Sequence, residues 1–198
     1  GYPTTTITAY GYMRNNKGQI LIDKSNGLPV YDPNFKVRGD RNPDFSTGWS
    51  NSFRYKNWRL NMLWDLKVGG DIFNATKMFL TNFGKSTVTA DRYTPRIIDG
   101  VLQDGLENTA NPKKNTIVVI PAYQDNFYTY QYMPEEAFIE KDVNWFRLRD
   151  ITLSYTFSSK ITSKIRGMKG LSAFVTANDL ILLTNYTGGD PFSNANTA

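Results

Sequence analysis

The chain contains no cysteine and no histidine. It therefore has no disulfide, no thiolate nucleophile, no imidazole base and no zinc site of the usual ligands, which leaves catalysis only to carboxylates, lysine, tyrosine or hydroxyls. Long apolar runs are missing too: nowhere do 18 apolar residues follow one another, so helical membrane spans are excluded and β spans are not. Residues 1–14 show neither the basic start nor the apolar run of a secretory signal, and an opening of Gly1-Tyr2-Pro3 reads as a piece cut from a longer protein. Neither charge dominates, with 23 Lys+Arg against 18 Asp+Glu over 198 residues. What the chain does have is rings: 12 Phe, 12 Tyr and 4 Trp in a sequence that is only 40% hydrophobic.

Turn formers divide the first third at Asn15-Asn16-Lys17-Gly18, at Ser25-Asn26-Gly27-Leu28-Pro29 and at Gly39-Asp40-Arg41-Asn42-Pro43-Asp44. Thr4 to Tyr12 and Gln19 to Ile22 read as strands. The clearest pattern follows. Trp49, Phe53 and Tyr55 alternate with polar residues, Lys56-Asn57 makes a tight turn, and Trp58, Leu60, Met62, Trp64, Leu66 and Val68 then occupy successive alternate positions. Between them stand Arg59, Asn61, Leu63, Asp65 and Lys67, so the period is two and the element is a half-buried antiparallel hairpin.

Residues 58–68, at about 3.3 Å each, extend roughly 36 Å, against about 17–20 Å for an ordinary soluble strand. Tilted by about 45°, that length covers roughly 25 Å, the height of the apolar band on an outer-membrane barrel. A secreted β-sandwich binding carbohydrate would show the same alternation and stays open at this point.

Residues 70–144 change character. Asn74 to Phe83 suits a short helix, after which Pro95, Pro112, Pro121 and Pro134 break any long element, and the aromatic content argues for a folded surface loop over a disordered linker. A third strand spans Trp145 to Phe157. Its apolar phase, carried by Phe146 and Leu148 and then by Ile151, Leu153, Tyr155 and Phe157, slips at Arg149-Asp150, which predicts a bulge. A basic turn from Lys160 to Gly170 leads to a fourth strand that begins at Leu171 with Ala173, Val175 and Ala177 on one face, after which Leu180 to Leu183 lead into a loop at 185–191. Tight connections thus alternate with long ones, as periplasmic turns and outer loops do in bacterial barrels, and this favours the barrel.

Four ordered stretches resemble the C-terminal part of SusC/RagA-type TonB-linked outer-membrane proteins: 39–45 (GDRNPDF), 65–74 (DLKVGGDIFN), 145–155 (WFRLRDITLSY) and 185–191 (NYTGGDP). The resemblance implies an all-β, antiparallel segment of a large plugged barrel with long extracellular loops, in the outer membrane of a Gram-negative cell. It implies an importer of oligosaccharides or peptides, lidded by a SusD-like surface lipoprotein and energised by TonB through an N-terminal part that, like the plug and the final strand, would be absent here. No catalytic residue, metal or cofactor comes with it.

On this reading Arg59, Asn61, Asp65 and Lys67 line the lumen, and Trp58, Leu60, Met62, Trp64, Leu66 and Val68 meet outer-membrane lipid. Trp58, Tyr155 and Phe157 suit an interfacial girdle. Tyr123, Phe127, Tyr128, Tyr130 and Tyr132 are the candidates for contact with ligand or lid, since rings offer flat apolar faces with polar tips; packing of the loop on itself is the competing reading. Glu135, Glu136, Glu140 and Asp142 hold too little sequence information to mark a two-carboxylate hydrolase and read as solvated acids. Lys160, Lys164, Arg166 and Lys169 lack any accompanying nucleic-acid motif and read as turn charges. Asp40, Asn42 and Asp44 have the spacing of a calcium loop's opening, but Phe45 and Asn51 stand where that loop needs Gly and Glu.

Overall fold

A computed structural model describes residues 1–165 and 167–194. Arg166 of the basic turn, and the chain end at 195–198 where a closing strand is expected to be missing, lie outside the described residues. In chain order the strands and helices are β1 (Thr6–Tyr12), β2 (Leu21–Ile22), β3 (Tyr31–Asp40), β4 (Phe45–Tyr55), β5 (Trp58–Val68), β6 (Ile72–Phe73) and α1 (Ala75–Asn82). There follow β7 (Arg96–Ile97), β8 (Val101–Leu102), β9 (Val118–Val119), β10 (Ile139–Glu140), β11 (Trp145–Thr156), α2 (Ser159–Thr162), β12 (Ser172–Thr184) and α3 (Pro191–Asn194). They divide between two units, a sheet unit (Asn42–Gly70 with Asp142–Thr187) and a loop unit (Gly1–Arg41, Asp71–Lys141 and Gly188 onward).

The sheet unit is one four-stranded antiparallel sheet in the order β12-β11-β5-β4. Its first hairpin is the one the alternation predicts, with β4 beginning earlier, at Phe45. The register runs from Tyr55↔Trp58 through Trp49↔Trp64 to Phe45↔Val68 without a break. Lys56 turns the corner at φ 50°, a left-handed conformation costing a side-chain-bearing residue about 1–2 kcal/mol. β5 ends where Gly69 takes φ +80°, a position closed to other residues because a Cβ would meet Asp44 Oδ2 at 2.6 Å. The phase slip read from the sequence is present: β11 shifts register against both β5 and β12 between Leu148 and Asp150. β12 runs well past Ala177. Asn178-Asp179 resembles a strand end, but Asp179 adopts φ 50° and is absorbed within the irregular pairing, so Ile181 to Thr184 continue alongside β11. Tight or moderate connections, 56–57 and 157–171, join one end of the sheet, and the long segment 69–144 joins the other.

The long connection does not fold by itself. It shares a unit with the first 41 residues, which the sequence reading treats as strands and turns of the same barrel segment. β1 pairs with β3, an element that Pro33, Asn34 and Gly39 disguise, and the pair carries two register shifts. β2 pairs in parallel with β8 across the unit. The helix stands where expected: Asn74 caps α1 by accepting from the Lys77 N–H at 2.9 Å. Ile22 and Val101 are completely enclosed, and Leu21, Leu102, Ile72, Phe138 and Ile139 are buried as well.

Candidate functional site

Strand pairing sorts the sheet's side chains into two faces. One carries Trp58, Leu60, Met62, Trp64, Leu66 and Val68 from β5, and register places Phe53 and Trp49 of β4, and Phe146, Leu148, Ile151, Leu153 and Tyr155 of β11, on the same side. The rings on this face pack against one another sideways. Trp49, Trp64 and Phe146 form a triangle: Trp64 is 6.2 Å from Trp49 and 5.1 Å from Phe146 by ring centroids, with planes 18° from parallel in both pairs, and Trp49 is 5.8 Å from Phe146. Nearer the 56–57 turn, Trp58 meets Tyr155 at 4.7 Å and Tyr155 meets Phe157 at 5.0 Å, which gathers the three rings predicted for a girdle. Within this unit no second sheet faces them among the described residues. Phe53, Trp58 and Trp49 remain 55%, 47% and 39% exposed.

The opposite face carries the other candidate set, Arg59, Asn61, Asp65 and Lys67, and these are tied into cross-strand polar contacts. The Ser52 hydroxyl donates to Asn61 Oδ1 at 2.7 Å. Asp65 Oδ2 accepts from the Trp145 indole N–H at 2.9 Å, while Lys67 Nζ sits 4.6 Å from the centre of that indole ring. Farther across, Arg147 pairs with Asp179 at 3.0 Å and the Thr152 and Thr176 hydroxyls meet at 2.8 Å. Arg59 stands apart, exposed beside the tight turn. The sequence reading left Trp145, Arg147 and Asp179 out of this face. For the first two the signal was available: with Phe146 and Leu148 on the apolar side, Trp145 and Arg147 must point the other way.

The loop aromatics do not form one set. Phe127 is buried with Leu28 and Val119, and Tyr128 and Tyr132 pack against that cluster. Phe127 is therefore core, with no face to offer a ligand, and Tyr128 turns even its hydroxyl inward. Tyr132 contributes its backbone, whose carbonyl accepts from the Tyr12 hydroxyl. Tyr123 and Tyr130 are open, at 73% and 69%.

Two of the acids read as solvated are in fact clasps. Glu135 Oε2 accepts the Tyr10 N–H and Glu136 Oε2 the Tyr12 N–H, each at 3.0 Å, so both carboxylates seal the outward edge of β1. Glu136 also binds Arg14 at 2.6 Å and Arg38 at 3.2 Å. Gly11 lies beneath this junction, where a Cβ would strike Glu136 and Arg38. Burial, reinforced by the Glu136 carboxylate and opposed by Arg14, pushes the Tyr12 phenol up to about 12. Desolvation disfavours the charge on Asp32, but bonds from Lys36 Nζ at 2.7 Å and from the Asn34 backbone and amide outweigh it and bring the carboxyl down to about 2.

No family profile matches the chain. Among characterised proteins it is similar to TonB-dependent receptor P3 of Formosa agariphila, 27% identical over 194 residues, covering 98% of this chain and 17% of the receptor. It is also similar to TonB-dependent receptor P39 of the same organism, 27% identical over 180 residues, covering 88% of this chain and 16% of that protein. The fold resembles the RagAB peptide importer in its open-open state, with a TM-score of 0.56 at 18% identity over 96% of this chain and 20% of that one. The closed-closed state gives 0.53 at 17% identity with the same coverage. The chain thus spans about a fifth or less of the length of each. Antiparallel walls with one apolar and one polar side, long connections gathered at one end, and relatives of a single type agree with the resemblance carried by the four sequence stretches: this chain is similar to part of a TonB-dependent receptor and shares its fold with part of the RagAB importer, as a resemblance to the C-terminal part of SusC/RagA-type outer-membrane proteins implies.

Proposed function

We propose that residues 1–198 are a C-terminal barrel segment of an outer-membrane nutrient importer of a Gram-negative cell, with the long loop of about residues 70–144 facing outward. In this reading Met62 and its neighbours on the ring-bearing face meet lipid, while Asn61, Asp65, Lys67, Trp145 and Arg147 border the lumen. TonB would act through the N-terminal part of the longer protein, and a SusD-like lipoprotein would close over the loops, as the likeness to the RagAB importer suggests. The cargo is an oligosaccharide or a peptide. The observation that carries the reading is the open apolar face backed by a face that carries cross-strand polar contacts, an arrangement suited to a wall with hydrocarbon on one side and water on the other.

The role assigned to the sheet is passive. Its paired polar groups hold charge at fixed positions along the path of the cargo, and no residue performs bond chemistry. Glu135 and Glu136, the nearest approach to a carboxylate pair, are occupied in holding β1. A sandwich module would need an apolar partner layer over Trp49, Trp64 and Phe146, and the single sheet of this unit supplies none among the described residues.

Nitroxide labels at positions 61 and 62 of the full-length protein in bilayers test the facing directly. The label at 62 is expected to be reached by dissolved oxygen and the label at 61 by a water-soluble nickel reagent. The reverse pattern, or equal access to both reagents, would refute the assignment.

A further inference from the structure

In the loop unit an open cluster of rings joins parts of the chain far apart in sequence. Tyr10 lies within the register break of β1, Tyr31 and Phe35 stand on β3, and Tyr130 comes from the long connection. Tyr10 is 5.0 Å from Phe35 in an edge-to-face contact and 5.8 Å from Tyr31, and Tyr31 is 6.5 Å from Tyr130, again edge-on. Phe35 and Tyr130 are more than half exposed and Tyr10 more than a third. Rings in mutual contact brace one another, and the exposed area of Phe35, Tyr130 and Tyr10 is open to a ligand that meets a platform ordered before it arrives.

We propose that Tyr10, Tyr31, Phe35 and Tyr130 form a stacking site for a neutral saccharide. This deepens the importer reading and rests on it, because it requires the loop unit to face the source of cargo. The chemistry selects the ligand. A pyranose presents a C–H face to an aromatic ring and hydroxyls at its rim, and here the phenols of Tyr10, Tyr31 and Tyr130 and the Glu135 carboxylate stand beside the rings. One Glu135 oxygen already accepts the Tyr10 N–H, and a carboxylate has room for further donors such as sugar hydroxyls. Glu135 on the rim disfavours an anionic sugar. A peptide adding as a strand is opposed by the same acids, since the outward N–H groups of Tyr10 and Tyr12 that it would need are bonded to Glu135 and Glu136.

The test uses full-length protein in detergent and a panel of neutral gluco-, manno- and xylo-oligosaccharides of four to seven units, followed by titration and by saturation transfer from aromatic protons. At least one member is expected to bind with transfer to its ring C–H protons. Phe35→Ala and Tyr130→Ala should each weaken it about 3- to 10-fold. Phe35→Leu, which keeps apolar volume but removes the flat face, should weaken it as much as Phe35→Ala. Phe83→Ala, an open ring outside the cluster, should leave affinity unchanged. Failure of the whole panel to bind overturns the proposal. So does affinity that survives loss of Phe35 and Tyr130, or full rescue by Phe35→Leu. Variants that instead weaken capture of a peptide or of a SusD-like lipoprotein, with sugar binding intact, would make the platform a partner's dock. The nitroxide measurement reads the importer assignment separately, so either can fail without the other.

Discussion

The two units dispose of their apolar side chains differently. In the loop unit Phe127 goes inward against Leu28 and Val119, and completely enclosed aliphatics such as Ile22 and Val101 make a conventional interior. In the sheet unit Trp49, Trp64 and Phe146 stack across strands on an open surface, and buried side chains include the charged Lys67 and Arg147 on the other face. The loop unit encloses an aliphatic interior and leaves other rings such as Phe35 and Tyr130 open, while the sheet unit gathers its rings along one open face and pairs polar groups across the other. On the proposed reading that contrast, more than strand content, would separate loops meeting water from a wall meeting hydrocarbon.

The contrast can be broken from either side. Phe138→Ala removes an enclosed ring from the loop unit and should cost about 3–5 kcal/mol, read as faster hydrogen exchange confined to residues of that unit. Met62→Arg should cost about 2–4 kcal/mol in bilayers if that position lies near the midplane, whereas Asn61→Arg, one residue away on the polar face, should be far milder. Equal costs at 61 and 62, measured by unfolding the full-length protein from vesicles, would erase the difference between the faces. Glu136→Gln should destabilise the loop unit by about 1–3 kcal/mol, because Arg38 and Arg14 lose their shared counter-charge, and protease sensitivity near β1 should rise.

The smallest effect is a pH dependence. Asp32 has its carboxyl lowered from 3.8 to about 2 in the folded unit, so its contribution is complete above about pH 4 and is lost as pH falls toward 2. Asp32→Asn should therefore be less stable than the parent at neutral pH, with the two melting curves converging in strong acid. A gap that persists unchanged at pH 2 would contradict this.

Much of the sheet was legible because its signals are local. The 58–68 alternation, the two-residue turn and the phase slip at Arg149 each follow from neighbours in sequence. β3 was hidden because Pro33 and Asn34 are ordinarily strand breakers, yet here they lie in the irregular stretch opposite Tyr10, where ladder hydrogen bonds are not required. The far half of β12 was missed for a similar reason, since a bulge lets Asp179 turn left-handed without ending the strand. Nothing local distinguishes Phe127 from Tyr130. Their fates are set by Leu28 and Val119 in one case and by Tyr31 in the other, partners that only the closed fold brings near.

The extra residue at Arg149 constrains how this wall can change over generations. Side chains on a strand face alternate sides, and the extra residue is what keeps Phe146 and Leu148 on the same side as Ile151, Leu153 and Tyr155; removing Arg149 itself would leave a regular ladder against β5, whereas losing a single residue elsewhere in β11 would turn one of the two runs to the opposite side. Length variation in the flanking segments is thus restricted to even steps, and an odd insertion or deletion is viable only where a matching irregularity in the neighbouring strand absorbs it. Indels among descendants of this barrel should accumulate in its connections and arrive as doublets, if at all, within the staves.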